Sequence, residues 1–275
     1  MRRTSVGEII IIIFVTILLV LFLFPLFMAL NNSFKSLLDI VDNAFAFPTY
    51  LSFDNYVNAF HAMNFPTAFM NTLIVTVASV AVLIFFPPMT AHLFLRKKWK
   101  INKVMFYLMV AAMIIPFQSI MIPLVSIYGG LGVLNNRWIL VYFYLAFGTP
   151  LSVFIYHGFL KSIPEEIEEA ARIDGCNIFQ NFFIIVYPLL KPITATVMIL
   201  NVLWIWNDYL LPFLILNPFP NLRTLPLATF SFYGTHTANY GLLLAALVMT
   251  VIPILVLYVF LQKYIHSGII QGAIK

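Results

Sequence analysis

Residues 161–175 read KSIPEEIEEAARIDG, and residues 176–188 continue CNIFQNFFIIVYP. Ser162 with Glu165 fits a capping box, with Pro164 in the first turn, where its missing N–H costs nothing. Ile163, Ile167, Ala170, Ala171 and Asp174 recur at helical spacing and form one mainly apolar stripe with small residues in it. Glu165, Glu166, Glu168, Glu169 and Arg172 surround that stripe. Gly175 is free to take positive φ and ends the helix. Asn177 is placed to cap a second short helix carrying Ile178, Phe179, Phe182 and Ile185, which Pro188 and Pro192 stop. The pattern predicts a short helix-turn-helix. Two readings fit it: a surface hairpin that links its neighbours, or an element whose small-residue stripe docks into a groove on a soluble partner.

Outward from this stretch the sequence changes character. The chain has 275 residues, 62% of them hydrophobic and only 9% charged, against about a quarter in soluble domains. Its mean hydropathy is +0.98. Too little polar surface remains to disperse a soluble domain, so a soluble enzyme, a disordered chain and a nucleic-acid-binding domain are excluded. A helix needs roughly 20 apolar residues to cross a bilayer. Six stretches meet that length, about 9–30, 67–95, 104–127, 138–160, 190–216 and 241–262. Pro87, Pro88 and Pro212 interrupt the second and fifth, and such kinks are expected to face protein or a cavity. The first stretch follows Arg2 and Arg3 but is too long for a signal-peptide core and lacks a small-x-small cleavage site, so it is read as an uncleaved span.

Orientation follows from the basic residues. With the N-terminus in the cytoplasm, the inside holds Arg2, Arg3, Arg96, Lys97, Lys98, Lys100, Lys103, Lys161, Arg172, Lys191, Lys263 and Lys275, twelve of the fifteen Lys and Arg. Lys35, Arg137 and Arg223 fall outside. The chain is therefore expected to run N-in and C-in, and residues 161–188 face the cytoplasm. That loop holds five of the ten acidic residues, against the local positive bias. Residues 31–66 and 217–240 are the long outer loops.

Glu169-Ala170-Ala171, then Gly175, Ile185 and Pro188, resemble in order and spacing the EAA loop of ABC-importer permeases. The fuller stretch IPEEIEEAARIDG resembles the permeases of binding-protein-dependent carbohydrate importers, of the maltose-transporter G-subunit type. The likeness covers nearly the whole chain: Met113-Ile-Ile-Pro116, Ile122-Pro123-Leu124, Leu131-Gly132-Val133, Trp206-Asn207-Asp208-Tyr209, Leu222-Arg223-Thr224-Leu225-Pro226, Ser52-Phe53-Asp54-Asn55-Tyr56 and the tail LQKYIHSGIIQGAIK. There are departures. Cys176 stands where Ala is common, Tyr187 where Leu is common, and the stretch from Phe85 to His92 departs from a small-residue pattern resembling A-x-Y-A-x-A-R.

The resemblance implies an all-α membrane protein of six transmembrane helices with the type I ABC importer permease fold, a single permease domain over 1–275 with 161–188 as its coupling loop. It implies a second related permease, two cytoplasmic ATPase subunits and an extracytoplasmic solute-binding protein as partners, in a prokaryotic plasma membrane. ATP and Mg2+ then belong to the ATPases, and this chain binds no cofactor. The ATPase-coupling residues it implies are Glu168, Glu169, Ala170, Ala171, Asp174, Gly175 and Cys176. Glu169 is expected to pair with a basic residue of the ATPase, and the tail from Gly268 to Lys275 to reach the ATPases as well.

The residues agree that no chemistry is catalysed here. No G-x-x-x-x-G-K-[ST], H-E-x-x-H or G-x-S-x-G occurs. Five scattered His residues form no metal set, and the single Cys176 forms no internal disulfide. His92 and His157 read best as structural or interfacial. For a substrate pathway the candidates are Asn201, Trp204, Asn207, Asp208 and Gln118, with Asn71 a weaker one. Asp208 is the only carboxylate well inside a span, where a charge faces the bundle interior or water. Acids and amides bond sugar hydroxyls, and aromatic faces stack on the C–H side of a sugar ring. The alternative for Asn207 and Asp208 is that they brace a broken fifth helix. A secondary transporter would need paired charges inside the spans, and an intramembrane enzyme a converging catalytic pair. A permease for glycerol phosphate, polyamine or osmolyte stays open, but spans almost bare of Lys and Arg favour a neutral sugar over a phosphate.

Overall fold

The computed structural model describes residues 6–232 and 239–273, with side chains through residue 260. Arg2, Arg3, the side chain of Lys263 and the tail contacts expected of Gly268–Lys275 lie outside that description. The described residues are helical, without strands. In chain order the helices are α1 (Val6–Ser33), α2 (Leu37–Asp42), α3 (Asp54–Ala62), α4 (Phe65–Arg96), α5 (Lys100–Ala112), α6 (Phe117–Gly130), α7 (Arg137–Leu160) and α8 (Glu165–Ile173). They continue with α9 (Ile178–Leu189), α10 (Lys191–Asn207), α11 (Leu210–Leu216), α12 (Leu225–Phe230) and α13 (Tyr240–Ala273). α1, α4, α7 and α13 are each long and apolar enough to cross a membrane. Two bent pairs, α5 with α6 and α9 with α10, bring the count to six if each is one crossing.

The chain divides into two compact units, one holding residues up to Phe65 with Ala228–Pro253, the other Pro66–Leu227 with the chain from Ile254. In the first unit, α1 is apolar all round and exposes that surface, as a lipid-facing helix does. Its polar last turn is buried: the Asn31 amide donates to the Ala46 carbonyl, and Ser33 shares a 2.6 Å hydrogen bond with the Tyr56 hydroxyl. Asn55 donates to the carbonyls of Ser33 and Lys35. Lys35 is itself only 3% exposed, and its ammonium donates to the carbonyls of Asn43 and Ala44.

The second unit shows its topology through its contacts. Near the start of α4, the Asn71 amide donates to the carbonyls of Asn221 and Arg223 and accepts a bond from Arg137 at the start of α7. At the far end of α4, Arg96 donates to the carbonyl of Ile163, just beyond the end of α7. α4 and α7 therefore run in the same direction, and the chain between them must return the full length. α5 and α6 make that return, bent by 102° at the break over 113–116. The third predicted span, 104–127, is thus not one rod. Met113-Ile-Ile-Pro116 breaks it because Pro116 has no N–H and forces the residue before it out of helical geometry.

α10 runs antiparallel to α7, and three polar rungs mark the seam. Tyr156 donates to Thr194, Asn201 to Ser152, and Tyr144 to Asp208. Gly148 lets the helices approach, since a β-carbon there would lie 2.8 Å from Leu83 Cδ1 and 3.0 Å from Asn201 Oδ1.

The prolines behave differently from one another. α4 continues through Pro87 and Pro88, both buried, as expected of prolines that strip backbone bonds inside a membrane. Pro88 has no N–H to offer the Ile84 carbonyl four residues back. The Tyr187 hydroxyl donates to that carbonyl instead, at 3.1 Å. Pro88 and Tyr187, both departures from the pattern the sequence resembles, thus complete each other. The fifth span is interrupted ahead of Pro212, not at it. The break comes earlier, at Asp208-Tyr209, and Pro212 sits in the first turn of α11, where its N–H has no intrahelical partner to lose.

Candidate functional site: the anchored loop and the cavity at the helix breaks

The loop folds as the predicted pair of short helices, with one change at its start. Ser162 does not cap α8. Its hydroxyl donates back to the Phe159 carbonyl and finishes α7, and Pro164 takes the N-cap position. At the other end Gly175 adopts φ +90°. The N–H of Gly175 reaches the Arg172 carbonyl and that of Cys176 the Ala171 carbonyl, the paired bonds of a Schellman stop. Asn177 and Gln180 then form a reciprocal capping box that starts α9. A π-helical stretch, Asn181–Val186, follows within α9. It turns Phe182 and Val186 into a cluster with Ala91, Tyr156, Leu160, Ile163 and Leu190. The loop is therefore packed into the ends of α4, α7 and α10.

One carboxylate ties α8 down. Glu168 is 1% exposed. It accepts from Arg96 Nε at 2.7 Å and from His92 Nε2 at 2.8 Å, both on the last turns of α4. Arg96 at the same time holds the Ile163 carbonyl at 2.9 Å. Burial pushes the Glu168 carboxyl up, but the hydrogen bonds from His92 and Arg96 and their charges outweigh it and hold the group at about 2. His92 also packs edge-on against Phe182, with ring centroids 5.3 Å apart.

This placement divides the residues of the expected coupling face. Glu168 and Ala171 point into the protein, because they sit three residues apart on the side of α8 that meets α4 and α9. Glu169, Ala170, Asp174 and Gly175 are exposed, and Cys176 is partly so. The outward surface keeps Ile167, Ala170 and Asp174 of the expected stripe and adds others. Ile163 is buried, while Ile173, Ile178 and Phe179 stand out, Ile173 at 87% exposure. The sequence reading missed His92 and Arg96 as partners of Glu168. These partners lie 76 and 72 residues upstream and carry no local signal.

The second feature is a cavity of about 520 Å³ in the same unit. Two of the three helix breaks open onto it: Met113 and Ile115 from the α5–α6 break, Asp208 from the α10–α11 break. Irregular backbone at membrane depth is tolerated where it lines such a cavity. Gln118, Trp204 and Asp208 line it, joined by Phe117 and Phe147, which the sequence reading passed over. Asp208 accepts from Tyr144 at 2.8 Å and from the Leu210 N–H at 3.0 Å. It therefore braces the break and faces the cavity at once. Tyr144 also meets Trp204 edge-on, with centroids 5.4 Å apart.

Asn201 and Asn207 do not line the cavity. Asn201 is buried and its amide donates to Ser152 and the Val197 carbonyl, so it serves the α7–α10 seam. Asn207 is exposed and bonds to Leu203 of its own helix. Asn71 is a brace between α4, α7 and the segment before α12. No group of three or more His, Cys, Asp or Glu among the described residues is placed to hold a metal ion.

Residues 83–271 match the family of binding-protein-dependent transport system inner membrane components. The chain belongs to this family. The matched region spans the anchored loop and every helix that borders the cavity. Among its relatives, a permease of Thermoanaerobacterium thermosulfurigenes described as a probable starch degradation products transport system protein, AmyC, is 41% identical over the full length of both chains. The multiple sugar-binding transport system permease MsmG of Streptococcus mutans is 38% identical over 93% of each chain. The melibiose/raffinose/stachyose import permease MelC of Bacillus subtilis is 38% identical over 91% of each. In fold, this permease is similar to a chain of a bacterial ABC transporter that imports alginate, with TM-score 0.78 and 23% identity over 96% of this chain and 99% of that one.

Proposed function

We propose that this permease forms half of the translocation path of an ATP-driven importer for a neutral sugar or oligosaccharide. In this reading a second, related permease forms the other half. Two ATPases that bind ATP and Mg2+ dock below, and an extracytoplasmic binding protein delivers the solute. The observation that carries the reading is the short helix α8, exposed on one side through Glu169 and Ala170 and clamped on the other to α4 through Glu168. A helix held this way passes a push from a soluble partner directly to a membrane-crossing helix. Glu169, Ala170, Asp174 and Gly175 then meet the ATPase, with Ile173 as the apolar contact beside them.

The saccharide assignment rests on three relatives whose names all concern saccharides and on the cavity wall. That wall offers a carboxylate, an amide and three aromatic faces, with no Lys or Arg. A cavity for a phosphorylated solute would be expected to carry cations.

Co-purification from cells expressing the whole importer tests the proposal. Glu169→Ala is expected to lose the ATPase subunits while keeping the second permease, and a panel of sugars with the binding protein is expected to stimulate ATP hydrolysis. Retention of the ATPases in the variant, or ATP-independent transport by this chain alone in liposomes, would refute it.

A further inference from the structure

A second hollow, of about 340 Å³, lies where α4 ends, α5 begins and α7 ends. Lys97, Lys98, Lys100, Lys103 and Lys161 line it. Among the described residues none of these five lysines forms an ion pair with an acid; the ion pairs seen are those of Glu168 with His92 and Arg96. A positive-inside bias alone asks for cations in the loop but not for a built hollow. Here the loop is fixed: Asn102 is buried, and its amide donates to the carbonyls of Lys97 at 2.8 Å and Leu93 at 3.3 Å. That bond holds the turn that presents the lysines.

The rest of the lining is largely apolar and aromatic. Phe94 and Phe106 line it, and His157 lies over Phe106 with ring centroids 4.2 Å apart. Trp99 and Tyr107 stand at its edge, each more than half exposed, as aromatic residues do at headgroup depth. The three helix ends place it at that depth on the basic face. We infer that this hollow binds the headgroup of an anionic phospholipid of the cytoplasmic leaflet, its phosphate among the lysine ammoniums and its glycerol and first acyl carbons against Phe94 and Phe106. Basic pockets between helices on that side of a membrane take such headgroups. A free phosphate would satisfy the lysines but leave the aromatic lining without a purpose.

The test uses the full importer complex in mild detergent. Phosphatidylglycerol, phosphatidylcholine and water-soluble glycerol phosphate are each titrated, with bound lipid read by native mass spectrometry and its position by hydrogen exchange. Phosphatidylglycerol is expected to bind about tenfold or more tighter than phosphatidylcholine, from the charge of several lysines, and to protect amides in residues 94–107. Lys100→Gln with Lys103→Gln is expected to lose most of that preference, and the corresponding pair of Arg substitutions to keep it. Equal binding of phosphatidylcholine, protection elsewhere in the chain, or an unchanged preference in the Gln variant would each overturn the inference. Competition by glycerol phosphate at concentrations equal to the lipid would assign the hollow to a free anion and overturn it too. The comparison of lipids on the unaltered complex decides the matter even if the Gln variant fails to assemble.

Discussion

Glu168 differs from its four acidic neighbours on α8 and in the turn only in what it meets. Glu165, Glu166, Glu169 and Asp174 are exposed, whereas Glu168 sits between His92 and Arg96. Hydrogen bonds to a charged group contribute about 1.5–3 kcal/mol. Glu168→Gln is therefore expected to destabilise the loop by about that amount and to uncouple ATP hydrolysis from solute delivery without removing Glu169. The pH dependence has a fixed sign. The carboxyl of Glu168 is held below its ordinary value, from 4.5 to about 2, so its stabilisation is complete above about pH 4.5 and is lost as pH falls toward about 2. The melting temperatures of the native complex and the Gln variant should stay apart from pH 7 to 5 and converge only in more acidic buffer. An interval that closes between pH 7 and 5 would show that the ion pair is not what the substitution removes.

At the level of elements, local chemistry was legible and long-range pairing was not. Gly175 and Asn177 announce the turn between α8 and α9 because φ and capping are decided within a few residues. The spans were legible because about 20 apolar residues in a row have few other uses. The 102° bend between α5 and α6 was not, although Pro116 marked the spot, because a proline fixes where a helix yields but not how far. The cavity residues divided for the same reason. Asp208 and Trp204 point into the hollow while Asn201 serves the seam, a difference of side set by packing of α10 on α7. That seam makes its own prediction. Gly148 faces Leu83 and Asn201 at distances a β-carbon cannot share without displacement. Gly148→Val is expected to cost about 1–3 kcal/mol, the usual range for overpacking, and to lower the yield and melting temperature of the complex. An unaltered melting temperature would mean that the seam is looser than its contacts indicate.

For the molecule as a whole, the three basic residues that break the charge rule each have internal work. Lys35 holds two carbonyls of its own loop, Arg137 holds Asn71, and Arg223 holds the Asn217 carbonyl. Their positive charge is engaged with the fold, so they weigh little against the twelve on the other side. Arg137→Gln should accordingly leave the orientation of the chain unchanged, as a reporter fused to the C-terminus would read, while lowering stability by about 1.5–3 kcal/mol through the lost bond to Asn71. A change of orientation would return Arg137 to the list of topological signals. The bond from Tyr187 to the Ile84 carbonyl carries a different lesson. It makes α4 and the loop inseparable parts when pieces are exchanged between transporters. A hybrid that takes residues 161–188 from a relative with Leu at that place, yet keeps Pro88, strands a backbone carbonyl inside the bilayer. Grafts meant to redirect this permease to a foreign ATPase should therefore carry both segments, or restore a residue with an N–H at position 88.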